Sequence, residues 1–316
     1  MNRAVFTLAL CLSSLLANAQ ESQTEYNFLR VPVSAHAAAV GGDNITLIED
    51  DETMIFQNPA LLSSVSDKTI NFNYMNYMAG VNMMSASFNR VINDHESWAA
   101  SAQYLDYGNM KETDENNNQT GTFNAKDIAL AGYFSYMLTD RLAGGITAKF
   151  IQSYIGEYNS SAVDIDLGLN YYNSDKGWSL SLVAKNLGGQ IKAYDENYEK
   201  MPIDVQMGIT KELKDMPIRL HFTMVDMNHW NYIFRDHLAI GIDADLSQNI
   251  WVGAGYNLRR RDEMKIEDSN DNTESAHGAG FSLGAGVNLN QFKINLAYGK
   301  YHVSSNSLII NVAYTL

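Results

Sequence analysis

The chain has 316 residues, a formal charge of −14, 46% hydrophobic residues, 22 glycines and only four prolines. An acidic balance of this size argues against nucleic acid as a partner. One cysteine, Cys11, excludes an internal disulfide and a cysteine-built metal site.

The opening, "MNRAVFTLALCLSSLLANAQ", places one positive residue (Arg3) before an apolar run from Ala4 to Leu16 and an Ala17-Asn18-Ala19 end. This is the order of a secretory signal, so residues 1–19 are expected to be removed. The run is shorter than the roughly 20 residues a membrane helix needs. Lipid attachment at Cys11 is disfavoured by the large Leu10 before it. Removal also takes the only thiol and shifts the formal charge to −15.

Residues 20–66 show no strand alternation, only two helix-like pieces near 34–40 and 54–62. From 67 onward the pattern changes to period two. Its faint beginnings cover 69–77, 81–90 and 97–105; clear segments follow at 126–137, 142–151, 162–172, 178–186, 203–211 and 218–226. They continue at 237–245, 250–258, 278–289, 292–300 and 307–316. In "VDIDLGLNYY" (163–172) Val163, Ile165, Leu167, Leu169 and Tyr171 form one face and Asp164, Asp166, Gly168 and Asn170 the other.

Connections after even-numbered segments are short ("TDR", "NSDKG", "SQN", "NQ"). Those after odd-numbered ones are longer: 106–125, 152–161, 187–202, 227–236 and 259–277. A soluble sandwich has no reason to sort its loops in this way; an outer-membrane barrel does, with tight periplasmic turns and long outer loops. The polar faces are small and glycine-rich (Gly280, Ser282, Gly284, Gly286, Asn288), which suits a lumen. Ten-residue strands tilted near 40° rise about 25 Å, the height of the lipid-facing band. Aromatic residues such as Tyr136, Phe150, Trp178 and Tyr314 recur near strand ends, where an interfacial girdle forms. The expected fold is therefore all-β: a transmembrane antiparallel β-barrel of about 14 strands over 67–316. Fourteen tilted strands enclose a backbone diameter of roughly 28 Å, too wide for side chains alone to fill. Residues 20–66 are then expected to form a helical plug, the alternative being an extension packed below the barrel.

No catalytic motif is present: there is no G-x-S-x-G, H-E-x-x-H or P-loop, so no enzyme and no cofactor is expected. The seven histidines are scattered, and those at 229, 237, 277 and 302 fall in or beside outer loops. Asp164 with Asp166 could form an acid/base pair, but adjacent lumen residues need no chemistry. His221 could partner a lumen serine only if the fold brought one to it. Docking residues are expected in the outer loops. Lys111 and Glu112 lie in a long polar stretch (106–123), Tyr194 in the 187–202 connection, and Trp230 and Tyr232 in "NHWNYIF". Arg259, Arg260 and Arg261 open a mixed-charge loop whose cations could meet lipid phosphates or an acidic partner.

Several stretches resemble the PorQ family of type IX secretion system outer-membrane proteins of Bacteroidetes. They are "EYNFLRVPVSAHAAAVGG" (25–42), "IFQNPALLS" (55–63), "NYMNYMAG" (73–80), "GTFNAKDIAL" (121–130), "LTDRLAGGITAKF" (138–150) and "VAKNLGGQIKAYDE" (183–196). The "NPA" and "KNLGG" runs are shared more widely with FadL-like barrels. The resemblance implies a fourteen-stranded, non-enzymatic barrel embedded in outer-membrane lipid. It also implies a place in the cell-surface attachment complex, beside a sortase-like protease and a shuttle barrel. There the barrel would hold a peripheral surface subunit through its outer loops. The competing expectation, taken from the fold, is a FadL-like transporter of a hydrophobic small molecule. The terminal Leu316 departs from the phenylalanine that ends many outer-membrane barrels.

Overall fold

The structure, a computed structural model, describes residues 24–229, 233–264, 266–267, 274–302 and 305–316. Residues 1–19, the expected signal segment with Cys11, lie outside the described residues. Fourteen antiparallel strands close into a barrel in chain order. They are β1 (Thr69–Asn76), β2 (Asn82–Asn93), β3 (Glu96–Thr113), β4 (Gln119–Thr139), β5 (Leu142–Ile155), β6 (Tyr158–Asn173) and β7 (Trp178–Lys192). The second half comprises β8 (Asp204–Glu212), β9 (Ile218–Met224), β10 (Leu238–Ser247), β11 (Ile250–Asn257), β12 (Phe281–Leu289), β13 (Phe292–Gly299) and β14 (Ser307–Thr315). The seam joins β1 to β14, from Thr69 opposite Thr315 to Asn76 opposite Leu308.

The alternation resolves as a lipid face and a lumen face. On β6, Leu167 is 47% exposed and its neighbour Asp166 is 5% exposed. Phe72, Leu130, Leu182, Phe222, Leu283 and Leu296 share the outer surface. Asn73, Ser87, Ser135, Thr147, Asn170 and Thr210 point into the lumen.

Two expected loops are strand instead. β3 and β4 stay paired to Thr113 opposite Gln119, so only residues 114–118 turn. β5 and β6 are paired to Ile155 opposite Tyr158 and turn on Gly156, at φ +59°. Above the lipid band both faces of a ladder meet water, so pairing continues after the hydrophobic alternation has ended. A further two-residue ribbon joins Ile266–Glu267 to Glu274–Ser275.

Residues 24–66 cross the lumen. At the long-loop end the Glu25 amide donates to the Lys200 carbonyl (3.0 Å), and at the opposite end the Ser66 amide donates to Asp50 (2.7 Å). Between them lie 3-10 turns at Asn27–Arg30, Glu52–Phe56 and Pro59–Ser64 and one short helix, α1 (Ala35–Ala39). Each of the last three starts on a side-chain cap: Ser34 accepts from Ala37, Asp51 from Thr53 and Asn58 from Ala60. Alanine makes α1 thin enough to lie fully buried against β11 to β14. Its first amide donates to Asn311 Oδ1 (2.5 Å), and Asn311 Nδ2 donates to the Val33 carbonyl (3.1 Å).

Glycines in the wall make the seat. A Cβ on Gly255 would lie 2.1 Å from the Gly41 nitrogen, and one on Gly145 would lie 2.3 Å from the Ala60 nitrogen. Gly255→Val is expected to lift the Gly41 turn off the wall at a cost of about 1–3 kcal/mol. Trypsin cleavage at Arg30 in the folded barrel should become faster; unchanged cleavage would refute a tightly seated plug. Leu167→Arg, on the lipid face, is expected to cost about 2–4 kcal/mol in a urea unfolding titration in lipid. An unshifted midpoint would remove Leu167 from the membrane.

Candidate functional site

Three polar clusters join plug to wall, and a fourth shapes the outer surface. The deepest centres on Asp243 of β10. Arg219 Nε, from β9, donates to both of its oxygens (3.1 and 3.0 Å), and His221 Nε2 lies 2.7 Å from Oδ1. From the plug, His36 Nε2 lies 3.1 Å from Asp243 Oδ2 and His36 Nδ1 lies 2.8 Å from Glu49. Glu49 also meets Arg219 at 2.6 Å. The His36 ring stacks on Trp251 at 3.5 Å, within 2° of parallel. His221 Nδ1 finds Thr210 (2.7 Å), which bonds Thr46 of the plug (2.6 Å). Among the described residues the His221 ring bonds Thr210 and Asp243, and no serine joins it.

His36, Glu49 and Asp243 bring three ligand atoms within 4.8 Å of one another. Arg219 already fills the cation's role there, bonded to both carboxylates, and each His36 nitrogen faces a different one. The cluster works as an ion-pair latch holding the plug to β9 and β10.

The second cluster explains Asp164 and Asp166. Lys149 Nζ lies 3.1 and 2.9 Å from them and donates to Asn186 Oδ1 (2.8 Å). A bulge in β7 sets this up: Ile165 pairs with Leu187 and Leu167 with Ala184, so Lys185 and Asn186 face Asp166 together. Asn186 sits at φ +59°, and its amide donates to Asp166 (2.7 Å). Both side chains therefore point inward, and Lys185 Nζ donates to Gln57 of the plug (3.0 Å). These carboxylates are cross-linked structural anions. Beside them a cavity of ≈ 110 Å³ is lined by Arg30, Phe56, Lys149, Lys185, Arg259 and Arg260.

At the outer mouth, Tyr107 donates to Asp127 (2.7 Å), Ser153 joins the same carboxylate, and Tyr194 donates to Ser153 (2.5 Å). Tyr26 of the plug meets Ser160, and Gln190 donates to both. Tyr194 is thus turned inward, half-buried, rather than presented to a partner.

The fourth cluster is a surface platform. The 3-10 turn Phe234–His237 packs on a second helix, α2 (Leu258–Glu263), which Asn257 caps. Arg259 joins Asp226 and lies 2.6 Å from Glu263. Burial alone would raise the Asp226 carboxyl, but Arg259 and then His229 hold it below the ordinary carboxylate range. Arg260 turns inward over the Tyr301 ring (4.1 Å), and Arg261 is half-buried beside Gly280. The three arginines do not form one outward basic patch. Ile233 and Phe234 stand 69% and 59% exposed on this platform. Lys111 and Glu112 are exposed on the projecting β3–β4 ribbon, away from it. Trp230 and Tyr232 lie outside the described residues.

The Asp243 latch was not visible in the sequence, because His36 and Asp243 are 207 positions apart and neither belongs to a motif. Asp243→Asn strips the charge that faces Arg219, His221 and His36. The barrel is expected to lose about 3–5 kcal/mol, read as a lowered unfolding midpoint in detergent. An unchanged midpoint would show that the latch carries no net stability.

Comparison with solved structures places the fold beside a FadL homologue, a toluene transporter and a monoaromatic hydrocarbon channel. The toluene transporter TodX of Pseudomonas putida superposes with a TM-score of 0.58 at 14% identity, over 90% of this chain and 97% of that one. A FadL homologue of Pseudomonas aeruginosa gives 0.55 at 10% identity, over 89% and 98%. The CymD monoaromatic hydrocarbon channel gives 0.56 at 12% identity, over 90% and 96%. At such identities the likeness concerns the fold alone. No curated relative matches the sequence. The family described as "Type IX secretion system membrane protein PorP/SprF" matches residues 51–309. The chain therefore belongs to the PorP/SprF family of type IX secretion system membrane proteins, as an outer-membrane barrel.

Proposed function

We propose that this barrel is a non-enzymatic anchor of the type IX secretion system, holding a peripheral surface protein of the attachment complex through its outer loops. The observation that carries this reading is the contrast between the two ends of the lumen axis. Inside, residues 24–66 are fixed to the wall by the Asp243 latch and by glycine seats. Outside, a braced platform leaves Ile233 and Phe234 exposed. Exposed apolar side chains on a rigid base are the usual centre of a protein interface.

The stretches at 25–42 and 121–130 support a PorQ-type member within the wider family. The sortase-like and shuttle-barrel components of the complex are proposed as further neighbours. The first twenty residues support export with cleavage before Gln20.

A second reading, a FadL-like transporter of a hydrophobic small molecule, has the TodX and CymD fold in its favour. The lumen cavity counts against it, since charged Arg30, Lys149, Lys185 and Arg260 enter its lining beside apolar Leu29, Val31 and Phe56. A hydrocarbon gains little from such a wall.

Extraction in mild detergent followed by affinity purification separates the two. The anchor reading expects a stoichiometric surface protein that is lost when Ile233 and Phe234 both become Asp, and when 106–123 or 259–277 is shortened. Bound lipid or hydrocarbon without any protein partner would instead support transport and overturn the anchor.

A further inference from the structure

At the inner mouth the plug carries a buried carboxylate that no cation balances. Glu52 opens the 3-10 turn Glu52–Phe56, which packs on β1 and β2. It is 0% exposed, and among the described residues the Ser87 hydroxyl is the group that offers its carboxyl a hydrogen bond. Asn71 of β1 and Ser87 of β2 are directly paired across the ladder and both buried. The Asn71 amide Oδ1 and Nδ2 have no hydrogen-bond partner among the described residues.

The surroundings do not resolve this. Asp51 spends its carboxylate on Thr53 and Asn295, and Lys293, the nearest cation, is engaged by Asp50. An ionised carboxylate enclosed without a counter-charge is strongly unfavourable, and so is each orphaned amide or hydroxyl. The oxygens gathered here are two from a carboxylate, one from an amide and one from a hydroxyl. That donor set is the one hard cations prefer, and it offers nothing to zinc or copper.

We propose that Glu52, Asn71 and Ser87 form a calcium site that fastens the inner end of the plug to β1 and β2. Calcium is favoured over magnesium because it tolerates an irregular shell, takes a carboxylate through both oxygens and accepts amide oxygen readily. Water would complete the shell. An opening of ≈ 520 Å³ lined by Asp50, Lys293, Asn295 and Asp51, the residue before Glu52, lies at the adjoining mouth. The site is independent of the partner-holding reading, since it faces the opposite end of the barrel.

The test uses the full chain purified in detergent, desalted, and compared with Glu52→Gln carrying the same lipid. Elemental analysis should find about one calcium per chain more in the parent than in the variant. EGTA should lower the parent's unfolding midpoint by roughly 4 °C or more and leave Glu52→Gln unmoved. If Glu52→Gln does not fold, Ser87→Ala keeps the carboxylate and should weaken calcium binding by at least about tenfold. Equal calcium in both chains, or a parent midpoint indifferent to EGTA, would overturn the site. A Glu52→Gln variant melting at or above the parent would show that Glu52 is buried as a neutral acid.

Discussion

Lipid offers no hydrogen bond to a peptide group, so a strand placed in it must be paired on both edges. That demand closes the sheet, joining Thr69–Asn76 to the last strand of the chain. Closure at fourteen strands then creates a second demand, because the wall's own side chains do not meet across the lumen. Residues 24–66 answer it. Their alanines, prolines and 3-10 turns let backbone lie directly on wall glycines, and their charges complete those of the wall.

Much of this architecture can be read from the order of residues, because the membrane sharpens the contrast between the two faces of each strand. Leu167 and Asp166 differ in surroundings as lipid differs from a polar lumen, and the alternation follows directly. Legibility fails where that contrast fails. Above the lipid both faces of the β3–β4 and β5–β6 ladders are wet, so a polar, aperiodic run such as 106–123 conceals regular pairing. α2 was hidden in the same way, since its arginines suit a loop and a helix equally well. The bulge at Lys185–Asn186 left a trace, the "KNLGG" run, but its consequence of turning both side chains inward needs the partner strand.

The clusters were less legible than the fold. Asp164 and Asp166 were correctly placed on the lumen face, yet their shared partner Lys149 lies on the neighbouring strand. The outer arginines show how a run of like residues can divide its tasks: Arg259 braces the platform and Arg260 lies over Tyr301. Three-dimensional proximity, not spacing in the chain, assigns each of them. The channels that share this architecture share its fold alone, and the lumen of this chain carries charged side chains from both plug and wall.

The contacts between α1 and Asn311 bear on how such a molecule can be built. The segment that precedes the barrel in the chain is bonded through Asn311 to the β13–β14 hairpin, and it crosses a lumen whose wall is closed all round. It cannot be threaded afterwards without breaking the latch residues' companions one by one. Asn311 also bonds Asn73 across the β1–β14 seam, so the residue that closes the wall is the one that seats the plug, and each of the two contacts stabilises the other.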